Sequence, residues 1–389
     1  MSSNNITKTT LESFRDAFPA LKNLIFLNSA GMSPLPDPCR LAMNGLIEDI
    51  GKRAYLNMDN WIKTIALARK NVSELIGAFP EEVAFIKNTS AGVSLVASGL
   101  NFSEGDEVVI NDIEFPSNVY PWLYLKNKGV KIVLVKSEKG RIAPEAIKHA
   151  VTPRTKVVAI SSVQYISGYR AELAKIGEIC RANRSLFFVD AIQSLGVIPM
   201  DVKSCGIDFL STGGFKWLCG PTGIGIFYCN KTRLDNLTLN NIGWNTVINS
   251  QDYSNILFEP KPDAMRFEEG SPNIIGIYGL NESIKLLKAV GIANIERHVL
   301  ELTDYLVERL LSMNFIIFSP RKDGEKSGIV TFSTKEKEKL TILEKKLFAE
   351  NILVVNRGNG IRVSVHGFNN MKDIDRLIEV CQGVSKQVI

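Results

Sequence analysis

Short apolar, β-branched runs alternate with helix-period segments through the middle of the chain. Glu107–Asn111, Lys131–Val135, Lys156–Ser162, Leu186–Asp190 and Ile207–Ser211 are near-continuous apolar runs, the pattern of strands buried on both faces. Between them, Ala171–Asn183 carries Leu173, Ile176, Ile179 and Cys180 at helical spacing. Strand, helix, strand repeated in this way predicts an α/β fold with a mostly parallel central sheet covered on both faces. Gly223–Cys229 follows so closely on Ile207–Ser211 that it is expected to be an antiparallel member. Near Gly270 the texture changes. Ile274–Leu287 and Ile292–Met313 read as long helices, the second with Leu302, Leu306 and Leu310 on one face. Gly328–Ser333 and Gly360–Val365 read as strands of a smaller α+β unit, and Met371–Gln382 as a closing helix. The expected division is an N-terminal arm at 1–20, a large domain at 21–270, and a linker helix with a small domain at 271–389, the boundary lying near 265–290.

Composition narrows the function without naming it. The chain has 389 residues, 45% hydrophobic and 22% charged, with a formal net charge of only +5. That is an ordinary globular balance with no one-signed patch of the kind nucleic-acid binding needs. No stretch approaches the ~20 apolar residues of a membrane span, and the N-terminus lacks an apolar signal core. Six cysteines with no C-x-x-C spacing give no metal ribbon and no disulfide framework. A reducing, cytoplasmic compartment and no metal site are expected. The three histidines form no H-E-x-x-H, and there is no G-x-S-x-G elbow or Walker-type phosphate loop. Gly220-Pro-Thr-Gly223-Ile-Gly225 has the wrong spacing for a dinucleotide fingerprint and precedes a strand.

In an open α/β sheet, ligands bind beyond the carboxyl ends of the strands, so polar residues there are the candidates. Asp190 ends the apolar run Leu186–Val189. It reads as a helix N-cap or as a buried carboxylate awaiting a cationic partner. The next strand runs into Gly213-Gly214-Phe215-Lys216-Trp217. Two glycines allow a sharp turn. A lysine among aromatics is either a snorkelling surface cation or a desolvated amine suited to Schiff-base chemistry. Lys216 stands about one strand–loop–strand unit beyond Asp190, which would bring both to one sheet edge. An amine and a carboxylate so placed suit pyridoxal phosphate: lysine holds the cofactor, and carboxylate keeps the pyridinium protonated. Asn88-Thr89-Ser90-Ala91-Gly92 follows a strand-like run and opens a helix. It is a phosphate cup or a plain N-cap.

Phe188-Val-Asp190-Ala-Ile-Gln193-Ser, followed by Ser211-Thr-Gly-Gly-Phe-Lys216-Trp-Leu-Cys-Gly-Pro-Thr-Gly, resembles the class V aminotransferase family. These are fold-type I pyridoxal-phosphate enzymes and include cysteine desulfurases, isopenicillin N epimerase and kynureninase. The resemblance runs from Leu27-Asn-Ser-Ala-Gly to Ile361-Arg-Val-Ser-Val. It implies Lys216 as Schiff-base lysine, Asp190 at the pyridine nitrogen and Gln193 at the ring hydroxyl. It implies Thr89, Ser90 and the Ala91 amide at the phosphate, Phe115 stacked on the ring, and Arg362 on the substrate carboxylate, with Asn28 and Ala30 beside it. Ser271 would reach the phosphate of a neighbouring subunit, so a homodimer with shared sites is implied. The chain departs from desulfurases in three places. Phe115 replaces a histidine. Gly213 and Phe215 stand where Ser and His meet the phosphate, with Thr212 as a substitute. No cysteine lies between Cys229 and Cys381, where the desulfurase persulfide loop would be.

The expectation is therefore an enzyme acting on an amino acid through an external aldimine, with aminotransfer first. A C–S lyase or a racemase/epimerase is the alternative, and a cofactor-binding regulator on the same fold is the non-enzymatic one.

Overall fold

A computed structural model of the chain describes residues 10–358 and 360–385. Of the expected N-terminal arm, residues 1–9 lie outside the described residues. Strands in chain order are β1 (Ile25–Phe26), β2 (Val83–Ile86), β3 (Glu107–Asn111), β4 (Lys131–Val135), β5 (Thr155–Ser161), β6 (Leu186–Asp190), β7 (Phe209–Gly213) and β8 (Gly225–Cys229). The smaller unit adds β9 (Ile316–Ile317), β10 (Ile329–Ser333), β11 (Ile352–Leu353), β12 (Val355–Arg357) and β13 (Gly360–Ser364).

The central sheet has seven strands in the order β2-β8-β7-β6-β5-β3-β4. The pairs β3–β4, β3–β5, β5–β6 and β6–β7 are parallel, and β8 is antiparallel to both its neighbours. The apolar runs are explained by burial on both faces. In β5, Val158 and Ile160 join one core cluster, and Val157 and Ala159 join the other. Phe187 and Val189 of β6 likewise oppose Leu186 and Phe188. Lys131–Val135 departs from the expectation of a buried strand. It is the sheet edge, and only Val135 is buried.

The parallel arrangement sends the loops after β3, β5, β6 and β7 to one edge, together with the start of helix Thr89–Gly99 after β2. This helix seats closely on β7 because Gly92 has no side chain. A Cβ there would lie 2.3 Å from Ser211 Oγ and 2.7 Å from Ser211 Cβ. Ser211 in turn donates from its hydroxyl to the Thr89 carbonyl at 3.0 Å.

Helices Ile274–Val290 and Ile292–Ser312, joined at Gly291, lead into the antiparallel sheet β12-β13-β10-β9. Leu302, Leu306 and Leu310 are buried. The N-terminal segment belongs with this unit by pairing: β1 runs parallel to β11, and Asn28 bridges to Ser364. This connection brings Asn28 and Ala30 toward Arg362 across more than 300 residues of sequence. No helix among the described residues is long and apolar enough to cross a membrane.

Gly92→Ala must push the helix start off β7. It is expected to cost about 1–3 kcal/mol, read as a lowered urea midpoint. An unchanged midpoint would show that the contact relaxes freely.

Candidate active site

At the carboxyl edge of the sheet, a cavity of about 270 Å³ is lined by segments from both units, among them Thr89, Phe115, Asp190, Gln193, Lys216 and Arg362. Asp190, the last residue of β6, is 1% exposed. Its Oδ1 accepts the Ile192 N–H at 2.9 Å, which is the capping role, but its Oδ2 is buried without a partner. Burial pushes the carboxyl above its ordinary range, and Glu114 adds to this. The Ile192 N–H and Lys216 oppose it. Lys216 is pushed the other way by burial, held up by Asp190 and pressed down further by Arg362 and Arg357. Its Nζ sits 5.5 Å from the Phe115 ring centroid and 5.8 Å from that of Phe215. Phe115 is itself fixed edge-on against Tyr165 at 5.2 Å. Lys216 is therefore a buried amine among aromatic faces, not a snorkelling cation.

The turn that presents Lys216 is held by backbone and by its neighbour. Gly214 N–H donates to the Ile224 carbonyl at 2.9 Å, Gly220 N–H to the Gly214 carbonyl at 2.8 Å, and Ser33 N–H to the Phe215 carbonyl at 3.0 Å. Trp217 donates from Nε1 to Gln193 Oε1 at 2.8 Å. An indole N–H can only donate, so the Gln193 amide is oriented with Nε2 toward the Ala30 carbonyl, 3.1 Å away. His366 stacks on Phe368 at 4.8 Å and on Trp217 at 5.6 Å. Its Nδ1 accepts the Gly367 N–H at 2.7 Å, so Nε2 carries the hydrogen and donates to the Trp217 carbonyl at 2.9 Å. A second proton would face the Gly367 N–H, and burial holds the imidazole down to about 4.

Glu114 ties the loops together. Its carboxylate accepts from Asn111 Nδ2 (2.6 Å), Asn118 Nδ2 (3.2 Å), Gln164 Nε2 (2.8 Å), the Ser161 N–H (2.7 Å) and the Ser161 hydroxyl. These donors fix the segment carrying Phe115 to the end of β5 and to the loop carrying Tyr165.

At the helix end of the cavity, Asn88 is a true N-cap. Its Oδ1 accepts the Ala91 N–H at 3.0 Å, so the amide assigned to a phosphate is already engaged. The Ser90 hydroxyl donates to Ser117 Oγ at 2.8 Å, and the Thr89 hydroxyl is buried without a partner. Thr212 does not reach the cavity: its hydroxyl donates to the Gly213 carbonyl at 3.2 Å. Ser271 lines a neighbouring cleft with Lys87, Gly223 and Asn273. At the opposite end, Arg362 donates from Nη1 to the Tyr165 carbonyl at 2.9 Å and from Nη2 to Asn28 Oδ1 at 3.3 Å. Its Nε is unpartnered. Burial and Arg357 hold the guanidinium down to about 10.

Sequence reasoning missed Ser117, Tyr165 and Arg357, all of which line the cavity. Tyr165 lies in the loop that follows β5, within reach of the strand-end rule. Arg357 arrives through the β12–β13 pairing, where it faces Gly360.

The residues present fit pyridoxal phosphate. The orphan Asp190 Oδ2 suits a cationic ring nitrogen, the amine of Lys216 donates no hydrogen bond, and the buried Thr89 hydroxyl opens the helix beside Ser90. Gln193 retains an amide hydrogen beyond the one given to Ala30.

A family model described as Aminotransferase class-V matches residues 25–377. The chain is 33% identical over 310 residues to a "Probable cysteine desulfurase" of Methanothermobacter thermautotrophicus, covering 78% of this chain and 77% of the relative. It is 28% identical to the "Uncharacterized aminotransferase YcbU" of Bacillus subtilis, covering 95% and 96%. The apo structure of a cysteine desulfurase from Thermococcus onnurineus superposes with a TM-score of 0.88 at 26% identity, covering 100% of both chains.

Two predictions follow from this geometry. Asp190→Asn keeps the cap to Ile192 but removes the charge, so turnover should slow by about 10²- to 10³-fold while the fold and cofactor absorbance persist. Near-normal kinetics would reduce Asp190 to a cap. The second concerns His366, whose proton affinity is depressed by folding. Its contribution to stability is complete above its ordinary 6.5 and is lost as pH falls toward about 4. Urea unfolding across that window should show a steeper decline in the native protein than in His366→Gln, and parallel curves would refute the assignment.

Proposed function

The chain belongs to the class-V aminotransferase family of pyridoxal-phosphate enzymes, and on that premise we propose that it cleaves the C–S bond of a sulfur-containing amino acid by β-elimination. The names of the desulfurase relatives support the substrate class. The observation that carries elimination, in place of sulfur transfer to the protein, is the short β12–β13 connection, in which Arg357 pairs with Gly360 five residues before Arg362 without any cysteine between them.

Lys216, Asp190, Gln193, Thr89 and Ser90 would hold the cofactor, Lys216 covalently, with Phe115 against the ring. Bound there, pyridoxal phosphate supplies an electron sink for the pair left at Cα when its C–H bond breaks. Arg362 would grip the substrate carboxylate, and its unpartnered Nε is a donor in reserve for that bidentate task. Lys216, its proton affinity lowered by burial, takes the Cα proton near neutral pH. Asp190, with its unpartnered Oδ2, would hold the ring nitrogen by its negative charge. Phe115, Phe215 and Tyr165 keep water from the amine.

Cys219 does not serve as the sulfur acceptor in this reading. It is buried, its Sγ lies 3.6 Å from His366 Nε2, and burial pushes its thiol well above the ordinary range. Aminotransfer is the second reading, favoured by the likeness to the Bacillus aminotransferase.

A homodimer is part of the proposal. Leu41, Ile47 and Ile50 on helix Asp37–Arg53, with Ile256, Leu257 and Phe258, are exposed apolar side chains that a second copy would cover. Ser271 would then approach the partner's cofactor, whereas the Asn28–Ala30 turn, expected to do the same, is bonded to Arg362 and Gln193 of its own chain. Sedimentation of the active protein should give a dimer, and a fully active monomer would refute shared sites.

Incubation with cysteine should yield pyruvate, ammonia and sulfide in equal amounts, with no labelled persulfide on the protein. Alanine with a persulfide on Cys219 would overturn the proposal. An amino-acid-to-keto-acid exchange without sulfide would put aminotransfer in its place.

A further inference from the structure

Beside the active site lies a larger cavity of about 670 Å³, walled by both units of the fold. One side comes from the Lys139-Gly140-Arg141 turn and from Ile166 and Ser167. The other comes from Ile317 to Lys322, with Thr331, Arg357 and Gly358. The two cavities share Arg357 in their linings and are flanked by the consecutive residues Tyr165 and Ile166.

The lining is charged in one sense. Arg141 is bound to Glu325, the one acidic residue of the wall. Arg321 is bound to Asp304. Lys139, Lys322 and Arg357 have no carboxylate partner among the described residues. Lys139 is held at the rim with φ +51°, a conformation costly for a side chain other than glycine or asparagine. The Arg357 guanidinium stands over the Tyr165 face, 5.7 Å from its centroid. Between these cations the floor is apolar, formed by Ile166, Ile317, Phe318 and Pro320, with Phe318 44% exposed.

We infer that this cavity is a second subsite, which takes an anionic arm on an apolar stem extending from a substrate held at Arg362. The inference rests on the proposed function for the position of the substrate carboxylate. Apolar walls with a few convergent cations are what such an arm requires, and three unpaired cations around one concavity raise the local concentration of anions. A shorter side chain leaves the cavity to water, so the subsite selects for length and charge together.

The test uses linear dicarboxylates from glutarate to azelate and the monocarboxylates of equal length, titrated calorimetrically into the full-length wild-type protein. None carries an amine, so the outcome does not depend on chemistry at Lys216. The best dicarboxylate should bind at least tenfold tighter than its monocarboxylate, with the preference falling in added salt. Lys139→Glu/Lys322→Glu should abolish the preference and leave monocarboxylate affinity unchanged. Both residues are exposed and unpaired, so the double variant retains the fold. Equal affinities in the wild type, absence of binding by either series, or a preference that survives the double variant would overturn the inference. The functional reading fails by a separate result, namely borohydride that does not fix pyridoxal phosphate on Lys216.

Discussion

A carboxylate oxygen sealed inside a sheet edge without a hydrogen-bond donor is the constraint around which this molecule is arranged. Asp190 Oδ2 is such an atom. Leaving a buried charge unpaired costs several kcal/mol, and the chain answers in two ways. The Ile192 N–H satisfies the other oxygen, and the Lys216 amine lies in the same cavity, each charge favouring the ionised form of the other. Neither group is made comfortable. The carboxyl is pushed up and the ammonium down by the same burial, which is the condition in which a cationic ring nitrogen is held tightly and an amine can exchange protons near neutrality.

Holding that arrangement falls to groups that do not face the reacting atoms. Glu114 is a second buried carboxylate at the same edge, but its five donors satisfy it. Its work is to bind the segments after β3 and β5 into one wall. Trp217 and His366 form the opposite support. The indole sets the Gln193 amide, and the imidazole sets the Trp217 carbonyl through its only available tautomer. The contrast between Asp190 and Glu114 distinguishes a site carboxylate from a structural one by hydrogen-bond satisfaction, not by burial, which they share.

The smaller unit contributes through connections remote in sequence. Ser364 lies in the strand of Arg362, and its hydroxyl accepts the Ala30 N–H. The carbonyl of Ala30 in turn accepts from Gln193. The short β12–β13 connection places Arg357 in the lining of both cavities.

Much of this was legible in the sequence because it rests on local rules. Unbroken apolar runs occur where both sheet faces are covered, so β3 and β6 were bounded correctly and the antiparallel β8 was anticipated. Asp190 and Lys216, which follow the apolar runs of β6 and β7, line the cavity that the strand-end rule places at this edge. Other features depended on neighbours that local patterning does not specify. Lys131–Val135 has the composition of a buried strand but occupies an edge, since strand order is set by crossover connections. Thr212 lies within β7 with its hydroxyl spent on the Gly213 carbonyl, so a plausible residue type ahead of the lysine turn does not reach the cavity. The Ala91 amide looked free because its capping partner, Asn88, was read as part of the cup. Arg357 enters the site only when the two units pack, against Tyr165 almost 200 positions away. Sequence alone determined the type of chemistry, because it resides in a few residue identities at strand ends. Tertiary structure decided which donors remain unsatisfied and which cavities adjoin, because hydrogen-bond satisfaction and enclosed volume are properties of the packed chain.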